Sequence, residues 1–158
     1  MGFDSFEQVK QLFDIDIGMM IDEIMPMFYK EIIELNQIEQ LSEGVDATGQ
    51  QIKTISAEER GKGVYSDLYA ADRLSAGLRA DKVDLKFHGD FWKTFKVRMV
   101  TGGWEVIADW IKGGDEDIRD NFKDSYDFLG LTDINTENLV YMSILPELRK
   151  RLLNKLGL

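Results

Sequence analysis

The segment Val83-Asp84-Leu85-Lys86-Phe87-His88-Gly89-Asp90-Phe91-Trp92-Lys93-Thr94-Phe95-Lys96-Val97 constrains the fold of this chain more than any other stretch. Val83, Leu85 and Phe87 alternate as in a strand, and a glycine follows. The period then changes, with Phe91, Trp92 and Phe95 spaced as on one turn of helix. Lys96 to Val100 reads as a strand again, Thr101-Gly102-Gly103 as a turn, and Trp104 to Ala108 as the returning strand. The expectation is a strand, a glycine-hinged aromatic turn and a hairpin within one short span. No side chain in the span is an activated nucleophile or part of a metal cage, so it reads as a segment that packs and binds.

The chain around it is a single domain. Its 158 residues, 44% hydrophobic and 11% aromatic, suffice for a core without staples. With no cysteine, disulfides, thiolate metal sites and cysteine nucleophiles are excluded, and the composition suits a reducing cytoplasm. Nineteen Lys and Arg against 29 Asp and Glu give a net charge of −10, which repels phosphate unless a basic patch is set apart on the surface. No stretch is long and apolar enough for a membrane span. Met1-Gly2-Phe3-Asp4 has neither the basic nor the apolar region of a secretion signal, so none is expected.

Periodicity places the other elements. Asp4 and Glu7 form a variant capping box for a short helix from Ser5 to about Phe13. Ile21, Ile24, Met25, Phe28, Ile32, Leu35 and Ile38 form an apolar helical stripe. Pro26 within it predicts a break near Met25 and a fresh helix from Pro26 to about Ser42, stopped by Glu43-Gly44. Gln51 to Ile55 reads as a short strand, and Ser66 to Leu74 as a short helix. From Asp115 to Asp127, Ile118, Phe122, Tyr126 and Leu129 predict an amphipathic helix with carboxylates in its first turn. Thr132 to Thr136 supplies caps for a last helical region whose apolar face starts with Leu139, Met142 and Leu145 and continues with Leu148, Leu152 and Leu156. Pro146 kinks it or opens a second helix. The fold class is therefore α+β: N-terminal helices on a small antiparallel sheet centred on Val83–Phe87 and the Lys96–Ala108 hairpin, with C-terminal helices.

No catalytic constellation survives inspection. His88 is the single histidine, and a general base or metal site needs further groups to orient it or share the ligation. The acids from Asp115 to Asp127 lack the alternating ligands and mid-loop glycine of a calcium loop. They read as a solvated helix face. Gly61-Lys62-Gly63 is not followed by the lysine–hydroxyl pair of a phosphate loop, and no serine sits in a glycine-flanked elbow. No cofactor is expected. Of the adjacent pair Phe91 and Trp92, which must point in different directions, one is a candidate interface anchor.

The stretch from about Asn36 to Val97 resembles small virion proteins of tailed bacteriophages, especially those of gut Bacteroidetes phages. It comprises a helix closing as Asn36-Gln37-Ile38-Glu39-Gln40-Leu41-Ser42-Glu43-Gly44, a glycine-rich middle with Tyr65-Ser66, and then Leu85-x-x-His88-Gly89-x-Phe91-x-x-Thr94-Phe95. That last pattern is similar to a signature of neck, tail-completion and virion-morphogenesis proteins. His88 stands where threonine is usual, and Thr94 where serine is common.

The resemblance implies a structural protein of the head–tail connector or neck, or one completing the tail, in a virion assembled in the host cytoplasm. It would form a ring of its own copies around the DNA channel, touching portal, adaptor or tail-tube proteins. Packaged DNA would pass without sequence-specific contact, and no membrane is involved. An acidic lumen gains nothing from counterion release and so does not hold DNA. Leu85, Gly89, Phe91, Trp92 and Phe95 are the expected interaction motif, and Arg149, Lys150, Arg151 and Lys155 the expected docking group between subunits. Two other classes compete. One is a small acidic metal-dependent hydrolase or nuclease built on His88 with Asp84 or Asp90; the other is a free phage-encoded interaction protein.

Overall fold

Asp16 starts the first described helix, its carboxylate accepting the Met19 N–H at 3.0 Å and so meeting a donor that a helix N-terminus leaves open. In the computed structural model, which describes residues 15–86, 88–112, 114 and 116–158, helical backbone then runs unbroken over residues 17–43 (α1). The predicted helix from Ser5 to Phe13 lies outside the described residues. Within α1, Ile17–Ile24 is α-helical and Met25–Phe28 tightens into a 3-10 turn. Tyr29–Glu34 is α-helical again, Leu35–Gln40 widens into a π turn, and Leu41–Glu43 closes as 3-10. The break expected near Met25 does not occur. Pro26 opens the 3-10 turn, a first-turn position where its missing N–H costs least, and the helix tightens instead of ending.

The π turn rotates the apolar stripe. Ile24, Met25, Phe28 and Ile32 are buried as expected, but Ile38 is 54% exposed. Asn36, Gln40 and Leu41 face inward in its place. The wide turn fits one residue more than the α-helical count behind the stripe, so everything beyond it is rotated. The two inward amides reach across to the far end of the chain. Asn36 Nδ2 donates to the carbonyls of Phe128 (3.2 Å) and Gly130 (2.7 Å), and Gln40 Nε2 donates to Gly130 (3.0 Å). Gln40 Oε1 accepts the Thr132 N–H and the Asn135 Nδ2, each at 2.9 Å. Two α1 side chains therefore hold the loop leading into the last helix.

Gly44, at φ +74°, ends α1 where Glu43-Gly44 predicts it, and a Cβ there would lie 3.0 Å from Lys82 Cβ. The strand expected at Gln51–Ile55 is absent; a single bridge joins Val45 to Gln51. The donors of this segment go to scattered partners instead of a neighbouring strand: Ile52 N–H to the Gly44 carbonyl (2.8 Å), Lys53 N–H to the Tyr126 hydroxyl (3.2 Å) and Thr54 N–H to the Val64 carbonyl (2.9 Å). The loop before it is held by the buried carboxylate of Asp46. Its Oδ1 accepts the N–H groups of Thr48 (3.0 Å) and Gln50 (2.8 Å), and its Oδ2 accepts the Asp127 N–H (3.1 Å). Thr54 then caps α2, Ile55–Arg60, and Ser66 caps α3, Asp67–Ser75. The inward side chain of α3 is Arg73, while Leu68 and Leu74 are 77% and 64% exposed.

Residues 83–86 form no strand, and Phe87, the last residue of the strand expected there, lies outside the described residues. Leu85 has φ +54°, outside the extended region, and Asp84 Oδ1 accepts the Lys86 N–H at 2.9 Å, closing a turn. The one-turn helix α4, Asp90–Lys93, comes next, as the spacing predicts. The hairpin also matches, with β1 (Lys96–Val100) paired antiparallel to β2 (Gly103–Ile107) in the register Val97↔Val106. A second small antiparallel pair joins β3 (Ile111–Lys112) to β4 (Glu116–Asp117). The amphipathic helix predicted over Asp115–Asp127 is not formed in residues 116–127. Asp117 caps a 3-10 turn, Ile118–Asn121, and the chain beyond runs in turns. Its aromatics are buried nonetheless, as a chain of rings: Phe122 and Tyr126 pack on Phe128 (5.1 and 5.8 Å), and Phe128 on Trp110 (5.4 Å). Trp110 packs on Phe91 at 4.7 Å. Ring packing among distant residues overrides the local helical pattern.

Thr132 caps the last helix, α5, which runs over residues 133–155. The helical backbone is continuous through Pro146, which lies in the first turn of the α-helical stretch Leu145–Lys155, the place the second-helix alternative gives it. A π turn, Val140–Ile144, lies immediately before the proline, where the backbone must accommodate its missing donor and its ring. As in α1, the wide turn rotates the face: Leu139 and Ile144 are buried, whereas Met142 and Leu145, expected on the apolar side, are 76% and 42% exposed. The fold is α+β, with α1, α5, the aromatic chain and the inner face of the hairpin enclosing one core. Removing either clamp amide strands carbonyls or an N–H, so Asn36→Ala and Gln40→Ala should each lower unfolding free energy by about 1–3 kcal/mol. Urea titration should give a double variant more destabilised than the sum, because the Gly130 carbonyl keeps one donor in either single variant and loses both only in the double one.

Candidate interaction site

The backbone turn at residues 84–86 is assembled around one buried charge pair. Arg73 is 1% exposed and Asp84 7%. Arg73 Nη2 meets both carboxylate oxygens (2.9 and 3.0 Å), and its Nε donates to the Arg79 carbonyl at 2.8 Å. The guanidinium also sits 4.9 Å from the ring centre of Tyr65. On the far side, the Trp92 indole N–H donates to the Asp84 carbonyl (2.9 Å), and Lys86 Nζ lies 4.5 Å from the Trp92 ring centre. Asp84 thus ties α3 to α4, and the left-handed conformations of Leu85 and of Gly89 (φ +79°) let the chain turn between them.

These contacts place every residue of the predicted motif. Phe91 and Phe95 are buried and pack edge to face at 5.1 Å. Trp92, the other member of the adjacent pair, is half-buried, and its carbonyl accepts Gln37 Nε2 at 2.6 Å. Leu85 and Gly89 are half-buried at the edge of the turn. Thr94 explains why a hydroxyl suits its position: Oγ1 donates to the Phe91 carbonyl (2.7 Å) and accepts the Asp109 N–H (2.9 Å), joining α4 to the segment after the hairpin. His88 is exposed beside Gly89. The carboxylate of Asp84 is committed to Arg73, and that of Asp90 to Lys93 at 2.8 Å. Among the described residues no group of three or more His, Asp or Glu is arranged to hold a metal ion.

The turn forms one wall of a cleft of about 680 Å³. Its floor is apolar and aromatic, with Tyr65, Val83, Phe91 and Phe122, while Glu59, Asp109, Glu116 and Asp120 stand among the polar groups around it. Lys112 and His88 also line it. Sequence reading missed this cleft because its walls come from distant segments, and only the glycine-centred turn stands out locally.

A second concave surface lies along α5. Tyr141, Leu145, Arg149 and Leu153 recur every fourth residue, and with Pro146 and Lys150 they line a groove of about 490 Å³. Of the four predicted docking cations, Arg149 and Lys150 line this groove and Lys155 is exposed. Arg151 turns the other way, bonding Glu147 at 3.1 Å and approaching Glu23 of α1 at 3.5 Å. No helix among the described residues is long and apolar enough to cross a membrane.

Two phenols are shifted by their surroundings. Burial pushes the Tyr65 hydroxyl well above the usual tyrosine range, with the Arg73 charge pulling partly back. Burial and the hydrogen bond to Glu58 raise Tyr126 to about 12. An acid whose folded-state ionisation is raised contributes stability that is complete below its unfolded value and is lost as pH rises through the folded one. Stability should therefore decline above about pH 10, where unfolded tyrosines ionise. Tyr126→Phe should flatten part of that decline, and ultraviolet absorbance of the phenolate should show two late-titrating tyrosines. Arg73→Met, which leaves Asp84 buried and unpaired, should cost about 3–5 kcal/mol by urea unfolding, and Arg73→Met with Asp84→Leu should recover part of it.

Compared with known proteins, the chain matches no family model, no curated protein and no solved structure.

Proposed function

We propose that this chain is a structural subunit of a tailed-bacteriophage virion, in the head–tail connector or neck or completing the tail, and that it assembles as a ring around the DNA channel. The observation that carries the reading is the uncovered face of α5. Tyr141, Leu145 and Leu153, 65%, 42% and 36% exposed, line one groove with Arg149 and Lys150 on a chain of net charge −10. Apolar side chains grouped on one exposed helix face mark a contact surface. A basic rim on an otherwise acidic molecule favours acidic partners, and copies of this chain are such partners. A contact between two different faces of one chain closes into a ring when the rotation allows it.

Charge and the motif add support. Excess carboxylates along a channel repel DNA and let it slide. The glycine-centred turn resembles the virion-protein signature, and its side chains brace one another. Phe91 and Phe95 fill the core, Trp92 bonds the backbone of Asp84, and Thr94 links to Asp109. The portal, adaptor or tail-tube proteins are the neighbours proposed on either side. The hydrolase reading has less support, since Asp84 and Asp90, the acids it needs beside His88, are held by cations. Deleting the gene from the genome that carries it should leave heads and tails unattached in negative-stain micrographs of lysates. Intact, infectious particles after deletion would overturn the proposal.

A further inference from the structure

The α5 groove and the cleft beside the glycine-centred turn are complementary in charge and alike in apolar character. The groove presents apolar side chains, Tyr141, Leu145 and Leu153, flanked by Arg149 and Lys150. The cleft presents an aromatic floor with Glu59, Asp109, Glu116 and Asp120 around it. Among the described residues none of those four carboxylates forms an ion pair within its own subunit, and neither does Arg149. No residue lines both surfaces, so one copy can give its groove to a second copy while offering its cleft to a third.

We infer that α5 of one copy seats in the acid-rimmed cleft of the next, with Arg149 and Lys150 meeting the cleft's carboxylates and Leu145 and Leu153 covering its apolar floor. The inference rests on the ring reading and adds to it the identity of the two joined surfaces. It is heterologous by construction, so a symmetric groove-to-groove dimer is a different structure. The cations approach several carboxylates at once, at exposed positions where attraction is screened by salt, so assembly should weaken as ionic strength rises.

The absence of cysteine makes the contact directly testable, because any disulfide must join introduced residues. Ile111, half exposed on the cleft, and Leu153 in the groove are the sites to use. The chain carrying both Ile111→Cys and Leu153→Cys, oxidised at high concentration, should give a ladder of cross-linked oligomers. A mixture of the two single variants should give heterodimers in clear excess of either homodimer. Glu116→Lys with Asp120→Lys should abolish the ladder, and adding Arg149→Glu with Lys150→Glu should restore it. Circular dichroism checks that each variant is folded, and Met99→Cys with Leu153→Cys serves as a control pair of comparable exposure. No ladder from the paired variant, a homodimer from Leu153→Cys alone, or an equal ladder from the control overturns the inference. Mass photometry of the unmodified chain is scored separately. Closed rings without the predicted cross-link would sink this pairing and leave the ring reading standing, and a cross-link without rings or virion defects would do the reverse.

Discussion

Arg73 and Asp84 are both buried, and most of the architecture around the aromatic turn depends on their meeting. Neither charge is tolerable alone at such depth, so α3 and the 84–86 turn must come together for either to be buried. Once they do, the remaining acceptors of Asp84 organise the neighbouring backbone. One carboxylate oxygen caps Lys86, and the main-chain carbonyl receives the Trp92 indole. Trp92 in turn fixes α4, and α4 delivers Phe91 to the chain of rings that fills the core. A pair that is energetically demanding in isolation thus sets the register of a segment that lacks a strand or a long helix to do so.

The same economy recurs at the other end of the core. Asn36 and Gln40 are amides in an apolar setting, and their hydrogen bonds to residues 128–135 replace the ladder that an additional strand would have supplied. Asp46 does likewise for the loop after α1, joining it to Asp127. Buried polar groups with several partners hold irregular backbone in one conformation, and a fold with so little sheet needs them. The surfaces left over, the α5 groove and the acid-rimmed cleft, border elements that these bonds make rigid.

Much of this was legible from residue order alone. The Lys96–Ala108 hairpin, the stop at Gly44, the short helix beginning at Ser66, the cap at Thr132 and the one-turn helix at Phe91–Trp92 are local events, each set by period or by a single capping side chain. Where the reading failed, distant partners decided. Phe122 and Tyr126 follow a helical spacing yet are placed by Phe128 and Trp110 without a helix. Val83 and Leu85 alternate, but the carboxylate between them turns the chain. Arg73, in a helix with exposed leucines, carried no local sign that it would be the inward residue, since its partner is eleven positions away. The motif and the basic end of α5 could be named from sequence; the cleft could not, because no single segment contains it.

The π turn in α1 has a consequence for how this chain tolerates change in length. Each residue of an α-helix advances the face by about 100°. Losing one residue between Leu35 and Gln40 would remove the residue that the bulge accommodates, so the helix would relax to ordinary winding with its apolar half and its amide half still facing as they do. Losing one residue from an ordinary turn, within Tyr29–Glu34 for example, would instead swing the two halves of α1 against each other by that angle and turn one of them to solvent. The wide turn is thus where α1 can absorb a change in length.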